Sequence, residues 1–210
     1  KFEINWYGTD YFVGDIHGEY DKLMLALKER DFDGAIDRLF AVGDLIDRGP
    51  KSRECVELLK KDWFHAVLGN HEEMLLREDP GWLYNGGNWA IGQDVEDLRE
   101  LILEKMHGTM TVEFFDGNKV NKIGVVHADY FGDWKDLNQQ EITQQHIWGR
   151  TRMRGNIDTR VQGVDVVVAG HTPRREVTKK GNVLFIDTGA CFRGGTLTIL
   201  EAEEVCAIFK

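Results

Sequence analysis

The sequence predicts an α/β (α+β) chain, two packed sheets flanked by helices, and three features point to it. Short apolar strands alternate with amphipathic helices through the first third, the pattern of βαβ units whose parallel strands are joined by right-handed crossovers. Asp116-Gly117 marks a hairpin in the middle, because this pair supplies the positive φ that a tight turn needs. The last third reads mostly as strands. With 210 residues, no internal repeat and no low-complexity linker, the chain suits one domain over 1–210, carrying a helical insertion at about 74–108.

Each element follows from local pattern. A strand at 11–13 runs into Gly14-Asp15-Ile16-His17-Gly18. Residues 19–30 place Leu23, Met24 and Leu27 on one face with charges opposite, an amphipathic helix. The strand at 39–42 leads into Gly43-Asp44-Leu45-Ile46-Asp47-Arg48-Gly49. Pro50 then stands just before a helix over 52–61, where a missing N–H costs nothing. The strand at 64–68 leads into Gly69-Asn70-His71-Glu72, and a helix over 74–77 stops at Asp79-Pro80-Gly81. An aromatic, glycine-rich stretch over 82–89 and a helix over 95–107 follow. Strands at 111–115 and 119–126 form the hairpin, the second ending at His127. A loop from Asp129 to about Asn138 and a short helix lead to Trp148-Gly149-Arg150. Strands at 164–169, 183–186, 196–200 and 205–209 complete the chain; the first runs into Gly170-His171, and the last two pair through a turn at 202–204.

Composition removes several classes of function. Formal net charge is −10 with no basic face, which argues against nucleic acid as a partner, since neutralised phosphates supply most of that affinity. No apolar run approaches the roughly 18 residues a membrane helix needs, and no leader pattern is visible. The chain opens on Lys1 rather than Met, so an upstream residue or short segment is expected. Cys55, Cys191 and Cys206 are odd in number and lack C-x-x-C spacing, which favours ordinary thiols and a cytoplasmic protein over a disulfide framework. None is followed by Arg six residues on, so a cysteine-dependent phosphatase loop is excluded.

Five strand ends deliver Asp15, His17, Asp44, Asn70, His127 and His171 to one rim. Carboxylate, imidazole and carboxamide are donors suited to manganese, iron or zinc. Six side chains exceed what one tetrahedral ion uses, while two divalent ions sharing a carboxylate would use them all, with Asp44 as the natural bridge. Such a pair, about 3.5–4 Å apart, clamps a phosphate and activates a bridging water for in-line attack. Arg48 and Arg150 supply planar donors matched to phosphate oxygens. His71, beside Asn70 on an extended turn, faces away from the ions toward a leaving group as a general acid, with Asp47 behind it fixing the tautomer. Each motif alone has an ordinary explanation: a Gly/Asp turn, a helix cap at Asn70, a core histidine. Their joint occurrence in order, each at the end of an apolar strand, does not.

Read together, these residues resemble the phosphoprotein phosphatase family of metallophosphoesterases, closest to its small bacterial and phage branch. The likeness extends to Asn85-Gly86-Gly87-Asn88-Trp89, His127-Ala128-Asp129-Tyr130 and Ile186-Asp187-Thr188-Gly189-Ala190. The resemblance implies a calcineurin-like metallophosphoesterase fold, a central β-sandwich of two mixed sheets with flanking helices. It also implies one ion on Asp15, His17 and Asp44, the other on Asp44, Asn70, His127 and His171, and substrate phosphate on Arg48, Asn70 and Arg150. It further implies phosphoprotein or phosphopeptide substrates, with manganese the expected metal. Glu19 and Phe131 depart from residues common in that branch, Cys and Pro, and neither is a proposed ligand.

Other readings share parts of this pattern. A symmetrical diadenosine tetraphosphatase uses the same cage but reads Gly-Asp-x-Val-Ala-Arg-Gly where this chain has Asp47. A nuclease of the wider group is disfavoured by the charge. An inactive metal-bound scaffold would have lost a ligand, His71 or an arginine, and none is missing. Trp82, Tyr84 and Trp89 suit either a substrate wall or core packing.

Overall fold

Alternation sorts the first strand's side chains onto two opposed cores. In the computed structural model, which describes residues 1–137 and 142–210, β1 (Asp10–Val13) turns Tyr11 and Val13 one way and Phe12 the other. The chain continues through α1 (Tyr20–Lys28), β2 (Arg38–Ala41), α2 (Ser52–Glu57), β3 (Phe64–Ala66), α3 (Asn70–Leu76) and α4 (Glu96–Lys105). The hairpin β4 (Met110–Phe115) and β5 (Val120–Val125) is followed by α5 (Gln144–Trp148) and α6 (Thr151–Gly155). Then come β6 (Val166–Ala169), β7 (Thr178–Lys180), β8 (Val183–Phe185), β9 (Ile199–Glu201) and α7 (Ala202–Ala207).

Two mixed sheets result, ordered β3-β2-β1-β9 and β4-β5-β6-β8-β7. In the first, β1, β2 and β3 run parallel and β9 is antiparallel at the edge; in the second, β5, β6 and β8 are parallel. Between the sheets lie Phe12 and Phe40 from the first against Val112, Ile123, Val125, Val168 and Leu184 from the second. The outer face of the first sheet packs Tyr11, Val13, Leu39 and Ala41 on Leu23, Val56, Leu75 and Ile102 of the helices. The outer face of the second packs Val167, Ala169 and Phe185 on Trp134 and Met153. The ends of β1, β2, β3, β5 and β6 therefore open toward one edge of the sandwich, where the polar motifs begin. Among the described residues no helix is long and apolar enough to cross a membrane.

Several local expectations are corrected. The apolar run 205–209 is not a strand: Ala202, Val205 and Cys206 are buried on one face of α7, and Glu204 Oε2 caps the Glu201 N–H at 2.8 Å. Short apolar runs fit either period, and here helix-forming Ala and Glu decide. The preceding strand is confined to Ile199–Glu201, and the polar strand Thr178–Lys180 was not anticipated. The helix expected over 52–61 ends at Glu57 and tightens into a 3₁₀ turn over Leu58–Lys60. At the third motif the helix begins at Asn70 rather than at 74, so Asn70 and His71 stand on a helical first turn, not an extended one. The end of the loop expected to finish near Asn138 lies outside the described residues.

Candidate metal centre and active site

The motif loops are laced together by their own backbone. Ile16 and His17 donate N–H to the Asp44 carbonyl at 3.1 and 2.8 Å, and Gly18 donates to Leu45 at 2.8 Å. The third loop is joined by Glu72, fully buried, whose carboxylate accepts N–H groups from Gly69 and Asp44 at 3.0 Å, Leu45 at 2.7 Å and Ile46 at 3.3 Å. Burial, with the negative Asp44 beside it, pushes the Glu72 carboxyl up to about 7. This capping is what starts α3 at Asn70. Glycine is required at two contacts: a Cβ on Gly69 would collide with the Asp44 carboxylate, and one on Gly170 with that of Asp15.

Asp44 stands at the middle. Its Oδ1 accepts the His71 N–H at 3.0 Å, and its Oδ2 lies 3.4 Å from His127 Nε2, 3.6 Å from His17 Nε2 and 3.9 Å from His71 Nε2. Burial raises its carboxyl, but the surrounding His127, His71 and His17 outweigh that and hold it well below the usual range. His17 and His127 each engage Nδ1 with a backbone carbonyl, Ile46 at 2.9 Å and Val42 at 2.7 Å, which presents Nε2 to the centre. His171 is turned the other way: Nδ1 faces Asn70 Oδ1 at 2.8 Å, which also lies 3.1 Å from His127 Nε2. Burial lowers His171, and lowers His17 to about 3, so both are neutral donors.

Two buried groups can hold a metal ion: His17, Asp44 and His71, and Asp44, His127 and His171. Within each, the ligand atoms lie within 4.8 Å of one another, and Asp44 belongs to both. Asn70 joins the second through its carbonyl oxygen. Asp15, expected with the first, accepts the His171 N–H at 3.0 and 3.1 Å. Its carboxyl is pushed well up by burial and by the negative Asp187 and Asp44, and Asp187 is raised by burial and Asp44 in turn. Buried imidazoles, His17 and His171 held neutral and His127 raised against burial by the Asp44 carboxylate, together with crowded, buried carboxylates are the donor set that fits divalent cations. Backbone strain gathers here as well. Of the eight non-glycine residues with positive φ among the described residues, five are His17, Asp44, Asp47, Arg48 and His171, at about 1–3 kcal/mol each for such conformations.

His71 belongs to a second network. Its Nδ1 lies 2.6 Å from Asp47 Oδ2, and its Nε2 faces Arg48 Nη2 at 3.0 Å; Arg48 Nη1 meets His17 Nε2 at 2.6 Å. Asp47, fully buried, also accepts the indole N–H of Trp82 on Oδ2 and of Trp89 on Oδ1, both at 2.7 Å. Its own N–H donates to Ser52 Oγ at 2.9 Å. The insertion therefore reaches the centre through these indoles, with Trp82 also in the core beneath it and Trp89 packed against that core, whereas Tyr84 is 94% exposed. Across the centre, Arg150 donates from Nε to His171 Nε2 at 3.0 Å. It stands just before α6, where buried Arg152 pairs with Asp129 at 2.8 Å.

All ten candidate residues lie at this edge. Glu72, Ser52 and the roles of Trp82 and Trp89 escaped the sequence reading. Glu72 alone had a local signal, an acid three residues after a glycine N-cap.

Residues 11–175 match the family model described as calcineurin-like phosphoesterase. The chain is 37% identical, over 95% of its length and 94% of the relative's, to serine/threonine-protein phosphatase 1 of Salmonella typhimurium (strain LT2). It is 32% identical to serine/threonine-protein phosphatase 2 of Escherichia coli (strain K12), covering 90% of this chain and 91% of the relative. It is also 33% identical, over 92% of each chain, to a symmetrical bis(5'-nucleosyl)-tetraphosphatase of Dechloromonas aromatica (strain RCB). Among solved structures, one titled as a putative diadenosine tetraphosphatase superposes with a TM-score of 0.66 at 22% identity, covering 95% of this chain and 96% of that one.

Proposed function

We propose that this chain, which belongs to the calcineurin-like phosphoesterase family and has its metallophosphoesterase fold, is a metal-dependent protein-serine/threonine phosphatase that hydrolyses phosphomonoesters on phosphoprotein or phosphopeptide substrates. The observation that carries this reading is the 2.6 Å contact of His71 Nδ1 with a buried Asp47 held by two indole N–H donors. An acid so oriented is needed to protonate a poor leaving group such as a serine alkoxide.

In this reading the whole of 1–210 is one catalytic domain with its insertion at 74–108. One ion would be held by Asp15, His17 and Asp44 and the other by Asp44, Asn70, His127 and His171, with manganese the expected metal and iron or zinc also compatible with these donors. The ions supply positive charge to the phosphoryl oxygens and acidify the attacking water. Arg48, Asn70 and Arg150 hold the phosphate oxygens, and the two guanidinium groups spread the charge that builds as the phosphoryl group transfers. His71 delivers a proton from Nε2 to the departing oxygen, while Asp47 keeps Nδ1 protonated and the ring turned inward.

A symmetrical dinucleotide tetraphosphatase is the second reading, favoured by the relative that is 33% identical over 92% of the chain. Asp47 in Gly-Asp-Leu-Ile-Asp-Arg-Gly weighs against it. The test is phosphate release by chelator-stripped protein, with and without manganese, from a phosphoserine peptide and from diadenosine tetraphosphate in parallel. Manganese-dependent release from the peptide is expected; cleavage mainly of the dinucleotide would replace this reading with the second.

A further inference from the structure

Two sets stand apart among the guanidinium groups of this chain. Arg38, Arg53, Arg77, Arg99 and Arg152 each lie within 2.9 Å of a carboxylate oxygen. Arg154, Arg174, Arg175 and Arg193 are exposed and have no side-chain partner among the described residues. These four are not scattered. Arg174, Arg175 and Arg193 line a hollow of about 500 Å³, and Arg154 shares one of about 610 Å³ with Arg150.

Both hollows adjoin the candidate centre, one beside Arg48 and the other beside His171. The first is walled by Phe192, whose ring lies 5.7 Å from the Arg48 guanidinium, and by Thr188, next to Asp187, whose carbonyl accepts the Arg174 N–H at 3.0 Å. The second is walled by Trp148, whose ring meets that of His171 edge-on at 6.1 Å, and by Arg150, bonded to His171. Arginines with no carboxylate partner among the described residues stand at both mouths, in a chain of net charge −10, and positive charge so placed draws anions to this edge.

We propose that these two hollows are flanking subsites for acidic side chains on either side of the phosphorylated residue, so that acidic phosphopeptide segments are the preferred substrates. This rests on the phosphatase reading. A phosphomonoester group has its oxygens matched by Arg48, Asn70 and Arg150, and offers nothing for guanidinium groups further out. A peptide carries carboxylates in both directions from its phosphoryl group, and the planar guanidinium binds a carboxylate through paired N–H donors. The aromatic walls are already engaged, Phe192 beneath Arg48 and Trp148 by its indole N–H on Glu73 at 2.6 Å. What remains free to bind is charge.

The test compares one phosphoserine peptide with Asp on both flanks and the same peptide with Ala there. Substrates are assayed with the manganese-loaded protein and with the variant Arg174→Ala/Arg175→Ala/Arg193→Ala, alongside para-nitrophenyl phosphate and diadenosine tetraphosphate. The native protein should prefer the acidic peptide by about 10-fold in kcat/KM, carried by KM, as expected for a few exposed ion pairs acting together. The preference should shrink in high salt and largely vanish in the variant, with para-nitrophenyl phosphate turnover unchanged in both. Arg154→Ala should lower it by a smaller factor. Peptide hydrolysis indifferent to flanking charge, or a preference that survives in the variant, overturns the subsites and leaves the phosphatase reading standing. Turnover of the dinucleotide alone overturns the phosphatase reading and the peptide assignment with it.

Discussion

The two sides of the centre are built differently. On the first sheet's side, Asp44, Asp47, His71 and Glu72 are buried, and each polar atom that matters has a named partner within about hydrogen-bond distance. Around the centre, at two separate hollows, Arg154, Arg174, Arg175 and Arg193 are exposed and have no side-chain partner among the described residues. Groups that must meet a transition state within fractions of an ångström need a fixed support; groups that attract varied sequences need reach and freedom instead. In the reading proposed here, the division between buried network and open guanidinium fringe is a division between chemistry and recognition.

Substitution can break that contrast or sharpen it. The largest loss is expected for Asp44→Asn, which removes the carboxylate shared by both donor groups. Turnover of every substrate should fall by about 10⁴-fold or more, since bound metal contributes several kcal/mol. Calorimetric titration of manganese should show weakened binding, and unchanged affinity would reject Asp44 as the shared ligand. His71→Asn should keep manganese but lower kcat on a phosphoserine peptide by about 10²–10⁴-fold, the range for one general acid. Para-nitrophenyl phosphate, whose leaving group needs little protonation, should lose far less, and equal losses on both would end the acid role.

Smaller effects test the support itself. Trp82→Phe or Trp89→Phe keeps the ring but deletes an N–H donated to Asp47, and about a 10-fold drop in kcat on the peptide is expected from each, the low end for a bond to a charged group. KM should hardly move, and a loss confined to KM would show the indoles to be a substrate wall after all. The smallest effect lies away from the centre, at His65 on β3, packed on Phe2 and Phe40. Burial and the nearby Arg38 guanidinium lower it from 6.5 to about 4. The unfolded chain therefore takes up this proton first, so stability from the neutral ring is full above about 6.5 and is lost as pH falls through that window toward 4. Urea midpoints at pH 7 and pH 5 should fall less steeply for His65→Gln than for the parent; identical slopes would exclude His65 as the source.

Much of the centre was legible because its ligands follow strands, and an apolar strand ending in Gly-Asp or Gly-Asn declares both its position and its direction. Where elements are short the code is weaker. The run at 205–209 satisfies a strand pattern and folds as the end of α7, because burial of Ala202, Val205 and Cys206 on one face rewards the helical period. Asn70 and His71 do point apart, but from the first turn of a helix that Glu72 caps, which alters how they do so. Asp15 shows the limit most clearly: its motif placed it at the edge, and only the folded chain set its carboxylate against the His171 N–H, 156 residues further on.

By itself the sequence determined the strand-and-motif order, the donor types and the edge of the sandwich where they gather, since these depend on alternation and on residues adjacent in the chain. Tertiary structure alone decided that tryptophans 35 and 42 positions beyond Asp47 hold its carboxylate. It alone placed the arginines that have no partner among the described residues in hollows beside Arg48 and Arg150. Hydrogen bonds and fields act through space over a few ångströms, and separations of that kind are set by packing, not by position along the chain.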